Sequence, residues 1–276
     1  MTVDAVLDVV ADAAPEIRAG LPGRRTKLDE ENVSGERQLA ADVWADELLR
    51  ERIATVDGVG TYASEEREST VDVGEGVLVA VDPLDGSSNL KSNNPMGTVF
   101  GIYEEGVPTS GRSLVAAGFV LYGPITTMTV ARGGTVTEYV IEAGDRSEVG
   151  PVTLPDDPTV YGIGGRVPDW PDPVAEYVDA IETELKLRYG GAMIADVNQV
   201  LTYGGVFGYP MLRSSPQGKL RVLFEGAPIA HIVETAGGAS SDGEQSLLDV
   251  DIEAVHQRTP VFVGNESLVR RAEDAV

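Results

Sequence analysis

A short apolar run that ends in two carboxylates constrains this chain more than any other feature. Val77–Val81 has the composition of a buried strand, and the sequence Asp-Pro-Leu-Asp-Gly (82–86) follows it directly. The proline fixes its own φ angle and the glycine can take a left-handed conformation, so the turn can aim the Asp82 and Asp85 carboxylates and the Leu84 carbonyl at one point. Oxygen ligands of this kind suit a hard cation such as Mg²⁺. The sequence therefore predicts a core strand with a metal site at its end.

The residues after this turn suit phosphate. Gly86, Ser87, Ser88 and Asn89 offer backbone N–H groups and hydroxyls that can hold phosphate oxygens. The same residue types are common in ordinary turns, and an ordinary turn remains the alternative for the Asp-Pro-x-Asp-Gly motif alone. Its place at the end of a buried strand favours a phosphate-bound metal.

A second acidic pair, Glu65 and Glu66, follows the short predicted strand Thr61–Ser64. In an extended chain the two side chains point in different directions, so one can bind a metal while the other faces a water molecule. The alternative is a solvated surface pair, which is the commoner role in a chain with 45 acidic residues.

The charge balance bears on partners and on environment. The 276 residues include 45 Asp and Glu against 21 Lys and Arg, for a formal net charge of -24. Such a field repels the phosphate backbone and disfavours nucleic-acid binding. Only four of the basic residues are lysines, a pattern that indicates adaptation to salt; an ordinary acidic cytosolic protein is the alternative. The absence of cysteine excludes disulfides, thiolate metal sites and a cysteine nucleophile.

Nothing in the sequence indicates export or a membrane span. The first ten residues carry no basic flank, and the longest apolar runs fall short of the roughly 18 residues that a span needs. We expect a soluble, cytoplasmic protein.

Periodicity predicts an α/β protein. Helices are expected up to Gly20 and from Ser34 to about Gly58, and strands follow up to Ile141. Residues 150–158 are rich in Pro and Asp and mark a junction, after which strands and helices alternate, including a strand at 220–224. We expect an N-terminal helix-and-sheet domain over 1–152, with most metal ligands, and a C-terminal α/β domain over 153–276, with the sugar-phosphate pocket.

Several motifs in register resemble class I fructose-1,6-bisphosphatases. They lie at 62–66, 81–89, 97–103, 188–196, 203–210 and 216–225. The resemblance spans about Gly35 to Arg258, and it implies a layered sugar-phosphatase sandwich of alternating helix and sheet layers with two subdomains. It also implies Mg²⁺-dependent hydrolysis of the 1-phosphate of fructose 1,6-bisphosphate in gluconeogenesis, by a homo-oligomer that is a dimer or a tetramer.

The resemblance implies a metal-ligand set and a catalytic pair. The predicted ligands, for two or three Mg²⁺ ions with Mn²⁺ as a substitute, are Glu65, Asp82, the Leu84 carbonyl, Asp85, Glu225 and Glu36, the last at a position where the family has Asp. Glu66 matches the carboxylate that activates water, and Asp42 is its acidic neighbour.

Substrate-binding residues follow from the same motifs. Those expected near the metal-bound 1-phosphate are Asp85, Gly86, Ser87, Ser88, Asn89 and Arg221. Tyr189, Tyr209 and Lys219 match the cradle of the 6-phosphate, and Arg188 matches an arginine that the family supplies from an adjacent subunit.

Departures from the family pattern bear on specificity and regulation. Residues 164–167 read Gly-Gly-Arg-Val where the family has Asn-Glu-Gly-Tyr, so Arg166 is expected to compensate. Glu104 and Glu105 replace a basic pair, so we do not expect inhibition by AMP. The open alternatives are an inositol or sedoheptulose phosphatase and a catalytically silent metal- or phosphate-binding regulator. His231 and His256 have no metal-ligand spacing and are expected to be structural.

Overall fold

The computed structural model describes residues 2–25, 27–31 and 37–275. Glu36, a predicted metal ligand, lies outside the described residues. The described α-helices are α1 (Thr2–Gly20), α2 (Ala40–Ile53), α3 (Asn89–Ser92), α4 (Asp172–Ile181), α5 (Met193–Tyr203), α6 (Ala227–Thr235) and α7 (Glu266–Glu273). None of the helices in these ranges is both long and apolar enough to cross a bilayer.

The strands fall into two main sheets and three short pairs. The first half holds β1 (Lys27–Glu31), β2 (Arg37–Leu39), β3 (Val59–Ser64), β4 (Val71–Asp72), β5 (Val77–Asp85), β6 (Met96–Tyr103), β7 (Thr109–Ser110), β8 (Leu114–Tyr122), β9 (Thr126–Arg132), β10 (Thr135–Glu142) and β11 (Asp145–Pro151). The second half holds β12 (Val160–Ile163), β13 (Lys186–Leu187), β14 (Gly205–Tyr209), β15 (Leu220–Arg221), β16 (Ala239–Ser241), β17 (Asp251–Ile252), β18 (Arg258–Thr259) and β19 (Val261–Gly264).

The first sheet has eight strands in the order β11-β10-β9-β8-β6-β5-β3-β4. Only β3 and β5 pair in parallel within it. The central strands are buried on both faces, since Val79 and Val81 of β5 pack with α1 and α2 while Leu78 and Ala80 pack on the opposite side with α5 and α6. This double burial explains why β5 reads as a continuous apolar run rather than an alternating one.

The second sheet has the order β13-β12-β14-β19-β16. Its alternating side chains also serve two cores: Phe207 and Val263 face α5 and α6, whereas Val206 and Phe262 face α4 and α7. The layers therefore run α1 and α2, first sheet, α5 and α6, second sheet, α4 and α7. This architecture confirms the predicted α/β sandwich of alternating helix and sheet layers.

Two local expectations were wrong. The second helix begins at Ala40, not near Ser34, and ends at Ile53. The apolar run 220–224 forms a strand only at Leu220–Arg221 and then a π-helical turn over Val222–Gly226. The predicted junction at 150–158 lies between the two sheets except for its first two residues, since β11 extends to Pro151 and β12 begins at Val160.

The predicted boundary at 152/153 falls between β11 and β12, where the chain passes from the first sheet to the second. Residues on both sides of it share one apolar core, because Ala80 and Phe119 pack in the same cluster as Val160 and Phe207. The two-domain division stays a prediction.

Candidate active site

The turn at the end of β5 is fixed by backbone hydrogen bonds. The Leu84 N–H donates to Asp82 Oδ1 at 3.0 Å, and the Ile194 N–H, at the start of α5, donates to Asp85 Oδ2 at 2.9 Å. Gly86 has a φ of 73°, and a Cβ atom there would lie 2.2 Å from the Cβ of Ala192. The turn therefore requires glycine, both for its left-handed conformation and for its close approach to α5.

Three buried carboxylates converge beside this turn. Asp82, Asp85 and Glu225 each present an oxygen, and these atoms all lie within 4.8 Å of one another. Glu225 comes from the π-helical turn, so the cluster joins the strand-end turn to a segment far away in sequence. Its all-oxygen donor set is the kind that Mg²⁺ and Mn²⁺ accept.

The pKa values of this cluster are displaced upward. Burial raises the pKa of Asp82 well above its ordinary value, and the negative charges of Glu65 and Glu225 add to the effect. Burial likewise raises the pKa of Asp85 to about 7 and that of Glu225 to about 8. The ionised cluster is therefore costly without a counter-charge, which a divalent cation would supply.

Arg221 provides one positive charge in the same space. Its side chain is buried, with Nη2 2.6 Å from Glu65 Oε1 and Nη1 3.7 Å from Glu225 Oε2. Its backbone N–H also donates to Glu225 Oε2 at 2.6 Å. One guanidinium among four carboxylates, those of Glu65, Asp82, Asp85 and Glu225, leaves the site strongly negative.

The turn after β3 carries the second acidic pair. The Glu65 N–H donates to the Val81 carbonyl at 3.1 Å, and the Glu66 N–H donates to Ser64 Oγ at 3.2 Å. Glu66 is half-buried, and its negative charge contributes to the raised pKa of Asp82. Glu65 therefore faces the cluster directly, while Glu66 lies close enough to act on it electrostatically.

A cleft of about 360 Å³ opens over the carboxylates. Its lining includes most of the predicted site residues, namely Glu65, Asp82, Leu84, Asp85, Gly86, Ser87, Ser88, Tyr189, Tyr209, Lys219, Arg221 and Glu225. Tyr189, Tyr209 and Lys219 also line a second cleft of about 510 Å³, where Arg166 and Arg258 add two positive charges and Asp169 adds one negative charge. The site therefore has an acidic end and a basic end, and Tyr189, Tyr209 and Lys219 line both.

Four predicted residues lie outside the described lining of these clefts. Asn89 is buried and its amide donates to the Pro95 and Gly190 carbonyls, both at 2.9 Å, so it holds the loop in place. Asp42 is buried in the first turn of α2, where Oδ2 accepts the Leu39 N–H at 2.9 Å. Arg188 is exposed after β13, and Glu66 is half-buried in the turn after β3. Their predicted catalytic or substrate roles stay predictions.

Asp196 lines the cleft although no motif in the sequence predicted a role for it. This buried residue of α5 accepts the Gly190 N–H at 2.6 Å and the Gly191 N–H at 3.3 Å. Burial raises its pKa to about 6, while these two hydrogen bonds act in the opposite direction. The signal was available, because an Asp in the first turn of a helix after a Gly-Gly pair is well placed to accept their N–H groups.

A larger cavity of about 790 Å³ lies between the end of α1 and the loop after α3. Its described lining contains Arg18 and Arg25 but no carboxylate, so it lacks the donors for a divalent metal. The chemistry points to the smaller cleft.

Comparison with known families assigns both halves of the chain. A family model described as the N-terminal domain of fructose-1-6-bisphosphatase matches residues 17–147, and one described as the C-terminal domain matches residues 154–276. Together they cover most of the sequence.

Relatives of high identity come from haloarchaea. A class 1 fructose-1,6-bisphosphatase of Natronomonas pharaonis is 63% identical over 278 residues, covering 99% of this chain and 98% of the relative. One from Halobacterium salinarum is 62% identical over 278 residues, covering 99% and 97%. These relatives support the predicted adaptation to salt.

Solved structures show the same fold. The fructose-1,6-bisphosphatase of Leishmania major in its holo form has a TM-score of 0.93 at 26% identity, covering 99% of this chain and 94% of that one. A putative sedoheptulose-1,7 bisphosphatase of Toxoplasma gondii has a TM-score of 0.89 at 28% identity, covering 99% and 94%.

Proposed function

Since the chain belongs to the fructose-1,6-bisphosphatase family, we propose that it hydrolyses the 1-phosphate of fructose 1,6-bisphosphate to give fructose 6-phosphate and phosphate. The proposal rests on the opposite charges of the two adjoining clefts. The acidic end suits a metal-bound phosphate, and the basic end suits a second phosphate on the same small molecule. We assign the reaction to gluconeogenesis in the cytoplasm.

The residues present fit divalent cations. Asp82, Asp85, Glu225, Glu65 and the Leu84 carbonyl would hold two or three Mg²⁺ ions, with Mn²⁺ as a substitute. When bound, such ions stabilise charge on phosphate oxygens and lower the pKa of a coordinated water. The raised pKa values of Asp85 and Glu225 support this assignment, because the buried carboxylates need a cation to remain ionised at neutral pH.

The chain's own groups orient the substrate and accept the proton of the attacking water. Gly86, Ser87 and Ser88 offer N–H and hydroxyl donors to the 1-phosphate at the cleft wall. Glu66 serves as the base for the attacking water, with Asp42 as its acidic neighbour. The half-buried position of Glu66 beside the metal-ligand turn supports that role.

The basic cleft would hold the distal phosphate. Lys219 lies 5.9 Å above the Tyr209 ring, and both residues line each of the two clefts. Arg166 and Arg258 add cations at the far side, where the family's Asn-Glu-Gly-Tyr is replaced. We expect a homo-oligomer, dimer or tetramer, in which the exposed Arg188 reaches the site of a neighbouring subunit.

A phosphate-release assay over a panel of substrates tests the proposal. The panel contains fructose 1,6-bisphosphate, sedoheptulose 1,7-bisphosphate, fructose 1-phosphate and an inositol phosphate, each with Mg²⁺ and with excess chelator. We expect the fructose bisphosphate to have the highest kcat/KM, with Asp82→Asn inactive but folded. Preference for sedoheptulose 1,7-bisphosphate would favour the second candidate, which the Toxoplasma structure and the altered residues 164–167 support. Full activity in chelator would contradict the metal mechanism.

A further inference from the structure

His256 joins the two segments that carry the metal ligands. It lies in the turn before β18, and its Nε2 is 2.7 Å from the Arg67 carbonyl oxygen. Because a carbonyl oxygen can only accept, Nε2 is the donor in this hydrogen bond. The same imidazole packs edge-on against the Phe224 ring, with ring centroids 5.6 Å apart and planes at 72°. One side chain therefore contacts two separate parts of the site.

Both contacts adjoin proposed metal ligands. Arg67 directly follows Glu65 and Glu66, and the fully buried Phe224 directly precedes Glu225. The π-helical turn around Phe224 is held on two further sides: the Val222 N–H donates to the Gln257 carbonyl at 2.9 Å, and Tyr103 Oη donates to the Leu223 carbonyl at 2.6 Å. Such turns interrupt a regular helix and often occur at functional sites.

Arg67 is also anchored from the opposite side. Its Nη2 lies 2.7 Å from Asp46 Oδ2 and 2.6 Å from Glu47 Oε2, both on α2. Tyr62 Oη donates to the other Asp46 oxygen at 3.0 Å. Arg67 therefore holds the turn of Glu65 and Glu66 from two sides. Its side chain binds α2, and its carbonyl accepts the hydrogen bond from His256.

We propose that His256 is a positioning residue that holds the Glu65–Glu66 turn and the Glu225 turn at a fixed separation, so that their carboxylates face one cation-binding space. The inference rests on the proposed metal site. Groups that orient metal ligands from outside the coordination sphere typically change metal affinity or activity by about 10–100-fold when they are removed. A residue that only fills the core would change stability and leave the affinity of the folded protein for metal unaltered.

The chain offers a matched control in Tyr177. Its Oη donates to the Leu268 carbonyl at 3.1 Å, and its ring packs edge-on against Phe262 with centroids 6.4 Å apart. This pair makes the same two types of contact as His256 with Phe224, a hydrogen bond to a backbone carbonyl and an edge-on ring contact, but it lies in the core between the second sheet and α4 and α7. Tyr177→Phe and His256→Phe each remove one side-chain donor to a backbone carbonyl.

The experiment measures Mn²⁺ binding to the full chain in molar KCl, with free Mn²⁺ followed by electron paramagnetic resonance below the melting transition of each variant. We expect H256F to bind Mn²⁺ about 10–100-fold more weakly, and Y177F to bind like the unchanged protein. H256Q, whose amide can donate to the Arg67 carbonyl, should recover much of the affinity. The kcat of H256F should approach the normal value as Mn²⁺ is raised, while the Mn²⁺ concentration for half activity stays high.

Equal Mn²⁺ affinity in H256F and Y177F would overturn the inference. If H256F does not fold, Phe224→Leu tests the same link from the other side, with Phe262→Leu as its control. A lower affinity in F224L alone supports the positioning role, and equal affinities refute it. Failure of the unchanged protein to bind Mn²⁺ at all would instead refute the proposed metal site.

Discussion

Replacing Asp85 by asparagine should stabilise the protein when metal is removed. The pKa of Asp85 is raised from an ordinary value of 3.8 to about 7, chiefly by burial. This difference corresponds to about 4 kcal/mol against folding with the carboxylate ionised, since one pKa unit is 1.36 kcal/mol. Asparagine keeps one oxygen that can accept the Ile194 N–H, so this hydrogen bond can remain when the charge is removed.

The free energy of unfolding should fall as pH rises, because Asp85 holds its proton more tightly in the folded chain than in the unfolded one. Below about pH 4 the Asp85 carboxyl is protonated in both the folded and the unfolded chain, so it does not lower the free energy of unfolding. As pH rises towards 7 the unfolded chain has already released its proton while the folded chain retains it, so stability falls. Above pH 7 the full cost is present, and the advantage of D85N should reach at most about 4 kcal/mol.

Urea unfolding in molar KCl with excess chelator, at several values between pH 5 and pH 8, measures this effect. Asp72→Asn on the exposed β4 makes the same chemical change at the surface and should alter stability little. Adding Mn²⁺ should reverse the order, because only the unchanged protein keeps all its ligands. A metal-free D85N no more stable than the unchanged protein at pH 8, or a difference that does not vary with pH, would refute the reasoning.

Three further outcomes are expected. Glu66→Gln should lower kcat by about 10²–10⁴ with a smaller change in KM, as steady-state rates at saturating Mg²⁺ would show; an unchanged kcat would assign Glu66 to the surface. Arg166→Gln should raise KM for fructose 1,6-bisphosphate by roughly tenfold and leave fructose 1-phosphate hydrolysis unaltered. The control for it, Arg213→Gln, removes an arginine that pairs with Asp172 at 2.7 Å, and equal effects in both variants would contradict a distal-phosphate role. Molar KCl should raise melting temperature, oligomer mass and initial rate together, because it shortens the Debye length to about 3 Å around a chain of charge -24; constant values from low salt upward would contradict salt adaptation.

Much of the fold was predictable because its strands have clear periods. The strands expected up to Ile141 and the alternation of strands and helices after residue 158 are both present. Hydrophobic periodicity failed where every side chain is buried. Val222–Phe224 is apolar throughout, and such a run is compatible with either a strand or a helical turn. Periodicity also missed β11, whose residues are mostly exposed and which forms a strand through its pairing with β10.

Some residues of the site could be predicted from a local motif, and others could not. The turn at 82–86 can be recognised from the local sequence, because its carboxylates, proline and glycine lie within five consecutive residues. Glu225 could be assigned only through the family resemblance, since its partner carboxylates lie in the other half of the chain. The hydrogen bond from His256 to the Arg67 carbonyl has no local signal at all, because any side chain can meet a distant backbone carbonyl.

The convergence of Asp82 and Asp85 with Glu225 has a consequence for how the protein survives in a cell. Each half of the chain contributes proposed ligands that the unfolded chain cannot bring together, so the binding energy of a cation would help to hold the π-helical turn of Glu225 against the end of β5. At a free cation concentration of 100 times the Kd, this term is worth about 2.7 kcal/mol. Divalent ion supply would then set both the catalytic rate and the lifetime of the enzyme, and starvation for these ions would remove idle copies by making them easier to degrade.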